Sequence, residues 1–123
     1  MAAWDRGVTR TLYGVAVVVT PMFVVSGTAT VSEAGFETAF LSGSCCAAAR
    51  LGGPDLDLIS FGEMYNSFEM VRGAAPGTLV LADGDHGYGN AMNVQRTVRA
   101  YGRAGAAAIL KHLSGRAHRV LTA

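Results

Sequence analysis

Thr78-Leu79-Val80-Leu81-Ala82-Asp83-Gly84-Asp85-His86-Gly87-Tyr88-Gly89-Asn90 passes from an apolar run of strand length into a polar, glycine-rich loop and on to a residue suited to start a helix. Thr78 to Ala82 is continuously apolar, as expected for a strand covered on both faces. Asn90 fits a helix N-cap, because its side-chain oxygen can accept N–H groups that lack intrahelical partners. Val94, Val98 and Tyr101 follow at i, i+4 and i+7, with Arg96, Arg99 and Arg103 placed mostly elsewhere, which makes the clearest amphipathic helix in the chain. Gly105 can close that helix, and Ala106 to Leu110 reads as the next strand.

The same alternation extends upstream. Pro76-Gly77 ends a predicted helix over Ser60 to about Arg72, whose start carries Ser60 and Glu63 in capping-box spacing. Gly52-Gly53-Pro54-Asp55 is a turn by composition and makes a loop with one carboxylate. Thr38 to Leu41 reads as a short strand opening into Ser42-Gly43-Ser44 and a small-residue loop through Ala49, a frequent way to offer backbone N–H groups to a ligand. Thr28 to Phe36 suits a short helix stopped by Gly35, with Phe36 packing back on the apolar layer. Strand, helix, strand, helix, strand with short connections implies right-handed parallel crossovers and an α/β fold.

Composition sets the bounds. The chain has 123 residues, half of them apolar and 15% charged, enough for a core and little sign of disorder. A closed eight-stranded α/β barrel needs about 250 residues. A net charge of +1 supplies no basic field for nucleic acid. Cys45 and Cys46 are adjacent, a spacing that gives neither a long-loop disulfide nor a metal knuckle, so a reducing, cytoplasmic setting is expected. Thr11 to Ser32 has no charged residue and follows Arg6 and Arg10, and it reads either as a buried strand or as a signal or membrane segment. Pro21 interrupts the most apolar part, and β-branched Val15, Val17, Val18 and Val19 favour the strand and no membrane. Lys111 to Ala123 is basic, has no acidic residue and shows no convincing period.

In parallel α/β folds ligands gather at the carboxyl ends of strands, where both polar clusters fall. Asp83 and Asp85, two residues apart on a glycine-rich loop, can face one hard cation, with Asp55 adding a third oxygen through water; solvated turn aspartates would also account for the pair. His86 reads either as a loop histidine bonded to a neighbouring carbonyl or as a group beside the substrate. Tyr88 is expected to pack at the loop base.

The stretch Ala82 to Val94, with Arg96-Thr97-Val98 following, resembles the signature of the isocitrate lyase and phosphoenolpyruvate mutase superfamily. Glu33-Ala34-Gly35-Phe36, Leu41-Ser42-Gly43-Ser44 and Leu51-Gly52-Gly53-Pro54-Asp55-Leu56 are similar to its earlier motifs, in order and at suitable spacing. The resemblance covers about residues 33–110 and implies the front of a (β/α)₈ barrel, its first three or so β/α units, as a single domain over 1–123, with 111–123 a divergent tail. By it, Asp83 takes the place of the main Mg²⁺ ligand, and Asp85 and Asp55 those of carboxylates holding the metal's waters. Ser42, Gly43 and Ser44 become the substrate-carboxylate and oxyanion contacts. Histidine and tyrosine in Asp85-His86-Gly87-Tyr88-Gly89 look most like the oxaloacetate decarboxylase branch.

The resemblance implies Mg²⁺-dependent lyase chemistry on a 2-oxo acid, most like oxaloacetate decarboxylation, with methylisocitrate lyase or phosphoenolpyruvate or carboxyphosphonoenolpyruvate mutase activity as the alternative. The sequence also departs from the family. Val24-Val25-Ser26-Gly27-Thr28 replaces a segment with a substrate-side aspartate, and Lys111-His112-Leu113 replaces one with an acidic residue, leaving His112 as a poor substitute for a hard cation. The family's lid loop and the carboxyl-terminal helix exchanged between its homo-oligomeric subunits find no counterpart. An inactive truncated remnant, from frameshift or decay, is therefore the reading from a different class, and an exposed strand edge is expected after the third unit. An exported or membrane-anchored binding module rests on Thr11 to Ser32 alone.

Overall fold

A computed structural model describes the backbone of residues 15–18, 32–113 and 117–122, and side chains within 32–112. Its centre is a five-stranded sheet in the order β1 (Val15–Val18), β2 (Thr38–Leu41), β3 (Leu79–Asp83), β4 (Ala108–Leu113), β5 (Ala117–Thr122). The first four strands run parallel, with Val15 beside Thr38, Thr38 beside Leu79, and Leu81 beside Ala108. Among the described residues, helices α1 (Gly43–Leu51) and α2 (Phe61–Ala74) lie between β2 and β3, and α3 (Ala91–Arg103) between β3 and β4. The fold is α/β with parallel strands, as the alternation of elements predicts, and it fits the opening units of the (β/α)₈ barrel that the resemblance implies.

Local chemistry explains the helix boundaries. Ser60 and Glu63 form the predicted capping box at the start of α2, each side chain satisfying the other's backbone N–H. Asn90 does the same for α3 with Asn93 as its partner. Gly52 ends α1 at φ 66°, a conformation that costs a residue with a Cβ. Gly35 closes a single turn at φ 83°, its N–H donating to the Ser32 carbonyl at 3.0 Å. The rest of the predicted helix before it, 28–31, lies outside the described residues, as do residues 19–31 of the uncharged run.

The core lies between sheet and helices. Ala39, Leu41, Val80, Ala82 and Ile109 are buried with Met64, Phe68 and Val71 of α2 and Tyr101 of α3. Phe68 and Tyr101 meet edge to face at 5.3 Å between ring centroids, and Phe61 and Tyr65 extend the aromatic layer. The alternate strand positions are less covered: Phe40 and Leu81 are half-buried and Leu79 is exposed. Thr38, Asp83 and Ala108 on that same face are nonetheless buried, so among the described residues one face is packed by helices and the other is covered in part. Phe36 is likewise exposed at 41% instead of packing on the apolar layer.

Two further elements differ from the sequence reading. The small-residue stretch after Ser42 is helix α1, because Cys46 and Ala47 bury against the core and alanine favours helix. The tail provides β5, antiparallel to β4 with Lys111 beside Arg119 and His112 beside His118. The open edge expected after β4 thus moves one strand out, to β5, the last strand of the described sheet. Among the described residues no helix is long and apolar enough to cross a membrane.

Phe68, with no exposed surface, and Ser60, at an exposed cap, give a calibrated pair of substitutions. Phe68→Ala should cost about 3–5 kcal/mol and Ser60→Ala about 1 kcal/mol, read as shifts in the urea midpoint by circular dichroism.

Candidate active site

The carboxyl ends of β2, β3 and β4 lie side by side, and the polar residues gather there. Asp83, the last residue of β3, is 6% exposed. Its Oδ2 accepts the N–H of Gly43, first residue of α1, at 3.0 Å, and its Oδ1 accepts the N–H of Asp85 at 3.1 Å. Its carbonyl accepts the Tyr101 hydroxyl at 3.4 Å. The β3–β4 ladder continues past the strand, with Gly84 N–H donating to Leu110 and His112 N–H to the Asp85 carbonyl, each at 2.7 Å. That continuation carries His112 up to the aspartates.

Asp85 is buried, 7% exposed, in a left-handed conformation at φ 43°. Its Oδ2 accepts the Tyr88 hydroxyl at 2.6 Å. Its Oδ1 lies where a Cβ on residue 43 would stand, at 2.5 Å, so only glycine at 43 lets the carboxylate come this close to α1. Burial pushes the Asp85 carboxyl up to about 6; the Tyr88 hydrogen bond opposes this, and the charges of Asp83 and Asp55 add to it. Burial also raises the Tyr88 and Tyr101 hydroxyls well above the ordinary tyrosine range, so both remain donors.

His112 Nε2 stands 3.7 Å from Asp83 Oδ1. Asp83, Asp85 and His112 each present a ligand atom within 4.8 Å of the others. The two oxygens and one nitrogen are donor types that hold a divalent cation. An open cleft of about 530 Å³ adjoins the cluster, with Asp57, His86, Lys111 and His112 in its wall.

Of the residues singled out from sequence, Asp83, Asp85 and Gly43 come together, while Ser44 and Asp55 pair at the rim, hydroxyl to carboxylate at 2.8 Å. Ser42 is the N-cap of α1 but makes no side-chain capping bond. His86 turns to Asp57, Nδ1 to Oδ1 3.4 Å, instead of to a neighbouring carbonyl or the aspartate cluster. Sequence reading missed Asp57 and Lys111 as cleft residues. Tyr88 does pack against Phe61, at 5.7 Å between centroids, and it also holds Asp85. Its place three residues after Asp85 is the signal that was present. Cys46 is buried, and burial pushes its thiol up to about 11.

The family model described as phosphoenolpyruvate phosphomutase matches residues 13–110. An oxaloacetate decarboxylase of Bradyrhizobium sp. is 47% identical over 78 residues, 63% of this chain and 26% of that protein. The chain thus spans about a quarter of the length of the curated relatives it matches. A crystal structure of 2,3-dimethylmalate lyase, described as a PEP mutase/isocitrate lyase superfamily member, superposes with TM-score 0.70 and 32% identity over 89% of this chain and 38% of its own. A phosphonopyruvate hydrolase complex with oxalate and Mg²⁺ superposes with TM-score 0.66 and 25% identity, over 84% of this chain and 35% of its own. With a (β/α)-type sheet, a carboxylate cluster at its carboxyl end and a family match across most of its length, the chain belongs to the phosphoenolpyruvate phosphomutase family, within the PEP mutase/isocitrate lyase superfamily.

Proposed function

We propose that this chain forms the metal- and acid-binding face of a lyase acting on a 2-oxo acid, with oxaloacetate decarboxylation as the reaction most like it. The observation that carries this reading is the juxtaposition of two buried carboxylates with His112 at the mouth of a cleft. Asp83, Asp85 and His112 fit a divalent cation, with Asp55 at the rim, and the resemblance names Mg²⁺. When bound, the cation supplies positive charge that draws electron density from the acid's carbonyl.

The chain's own residues do the positioning. Gly43 N–H and Asp85 N–H hold the Asp83 carboxylate, and Tyr88 holds that of Asp85, so neither needs to reorganise when a ligand arrives. The first turn of α1 leaves the N–H groups of Ser44 and Cys45 without intrahelical acceptors, and its dipole favours an anion there. Lys111, in the wall of the cleft, offers a positive charge to a second carboxylate. A decarboxylation asks little more, because the departing CO₂ needs no base.

Methylisocitrate lyase-like or mutase chemistry is the runner-up, and the phosphoenolpyruvate phosphomutase family match favours the mutase form of it. Binding without turnover, as in an inactive remnant, is favoured by His112 in the cluster and by His86 being held by Asp57.

Thermal unfolding of the 123-residue chain should shift upward with Mg²⁺ plus oxalate, by the equivalent of about 2.7 kcal/mol at a hundredfold excess over Kd, and Asp83→Ala should abolish the shift. A shift accompanied by release of CO₂ from oxaloacetate supports the decarboxylase; a shift with no product supports binding without turnover; no shift in a folded protein removes the proposal.

The raised Asp85 carboxyl has a further consequence in the metal-free protein. The native state holds its proton to about pH 6, whereas the unfolded chain releases it near the ordinary value of 3.8, so between these the native state binds more protons and stability falls as pH rises. Asp85→Asn should remove this slope, on the order of 2 kcal/mol between about pH 4 and pH 6.5, in urea titrations run without metal. An unchanged slope would show that Asp85 does not titrate there.

A further inference from the structure

Building on the metal site just proposed, we infer that His112 is a metal ligand and that the centre prefers a first-row transition ion such as Mn²⁺ or Co²⁺ to Mg²⁺. The placement of the imidazole is the starting point. His112 Nε2 lies 3.7 Å from Asp83 Oδ1, and the three ligand atoms all fall within 4.8 Å of one another. Ligands on one side of an ion about 2.0–2.2 Å away stand roughly 3.0–3.5 Å apart, so the exposed His112 imidazole must swing inward by up to about 1–2 Å to close the site.

The backbone of His112 is fixed on both sides. Its N–H donates to the Asp85 carbonyl at 2.7 Å, and β5 pairs along the other edge, with His118 beside it. The backbone that carries the imidazole is therefore held beside the aspartates by two ladders. Asp83 and Asp85 are buried and held by donors, whereas the His112 side chain is 47% exposed. An ion here would have three protein ligands on one side and open positions towards the cleft, the arrangement that suits a bound acid.

The chemistry of the donor set decides the ion. Mg²⁺ is a hard cation that takes oxygen ligands in a strict octahedron and sheds water reluctantly. Imidazole nitrogen suits Mn²⁺, Fe²⁺, Co²⁺ and Zn²⁺, with affinity rising along the Irving–Williams order. Two carboxylates alone would be a site for Mg²⁺; adding His112 moves it towards the transition ions. The bonds from Gly43 and Tyr88 to the carboxylates keep the two oxygens in place for whichever ion enters.

The test uses the full 123-residue chain and metal alone. Pulsed electron paramagnetic resonance of the Mn²⁺-loaded protein should show ¹⁴N coupling from a directly bound imidazole. Competition titrations should give Co²⁺ and Mn²⁺ the advantage over Mg²⁺, and His112→Glu should abolish the coupling and shrink that advantage about tenfold or more. Mg²⁺ binding as tightly as Mn²⁺, with no nitrogen coupling, would overturn the inference while leaving the 2-oxo acid reading intact. A folded protein that binds none of these ions would overturn both. The nitrogen signal is read on the parent chain, so a variant that fails to fold does not remove the test.

Discussion

The Asp83 carboxylate is buried at the end of β3 and accepts the N–H groups of Gly43 and Asp85. Leaving a carboxylate there without partners would cost several kcal/mol, so the surrounding chain is constrained to bring donors to it. One donor comes from the start of α1, which fixes the direction in which the chain leaves β2. The other comes from the loop itself, which must turn back within two residues. The Tyr101 hydroxyl on the Asp83 carbonyl ties the same point to α3. The order of the helices on the sheet and the geometry of the cleft thus meet at one residue.

Two buried carboxylates side by side also need an unusual backbone. Asp85 and Tyr88 adopt left-handed conformations at φ 43° and φ 61°, with Gly87 at φ 90° between them. Aspartate tolerates this region better than tyrosine, for which it costs of order 1 kcal/mol or more. Tyr88 is retained in that conformation by its ring against Phe61 and its hydroxyl on Asp85. Glycine there would relieve the strain but lose the donor that orients Asp85. Gly43 is required for the complementary reason, because the Asp85 carboxylate occupies the space of its missing Cβ.

The parts legible in the sequence are those specified locally. The capping residues of α2 and α3 bond to groups three residues away, and β3 announces itself as an apolar run. Asp83 and Asp85 share a loop, so their nearness follows from spacing. Helix α1 was obscured because Gly43 to Ala49 has no polar and apolar contrast, although three consecutive alanines before Arg50 and Leu51 are a helix signal. Strand β5 showed no pattern, since its place is set by pairing with β4. His112 was placed at the metal position by the resemblance alone, and the contributions of Asp57 and Lys111 to the cleft depend on which strand ends lie side by side. No local pattern contains that information.

The antiparallel β5 also has a meaning in time. Leu113 pairs with Ala117 nearby in the chain, whereas Thr38 must await Leu79 across two helices. Hairpins form in about 1–10 μs, and parallel pairings across long crossovers are slower because loop entropy is lost before contacts compensate. The outer edge of β4, from Ala108 to Leu113, is therefore claimed before the parallel sheet assembles on its other side. Any strand reaching that edge later, from this chain or from a second copy, meets backbone groups already engaged, and its arrival becomes a displacement reaction whose rate is limited by the opening of β5.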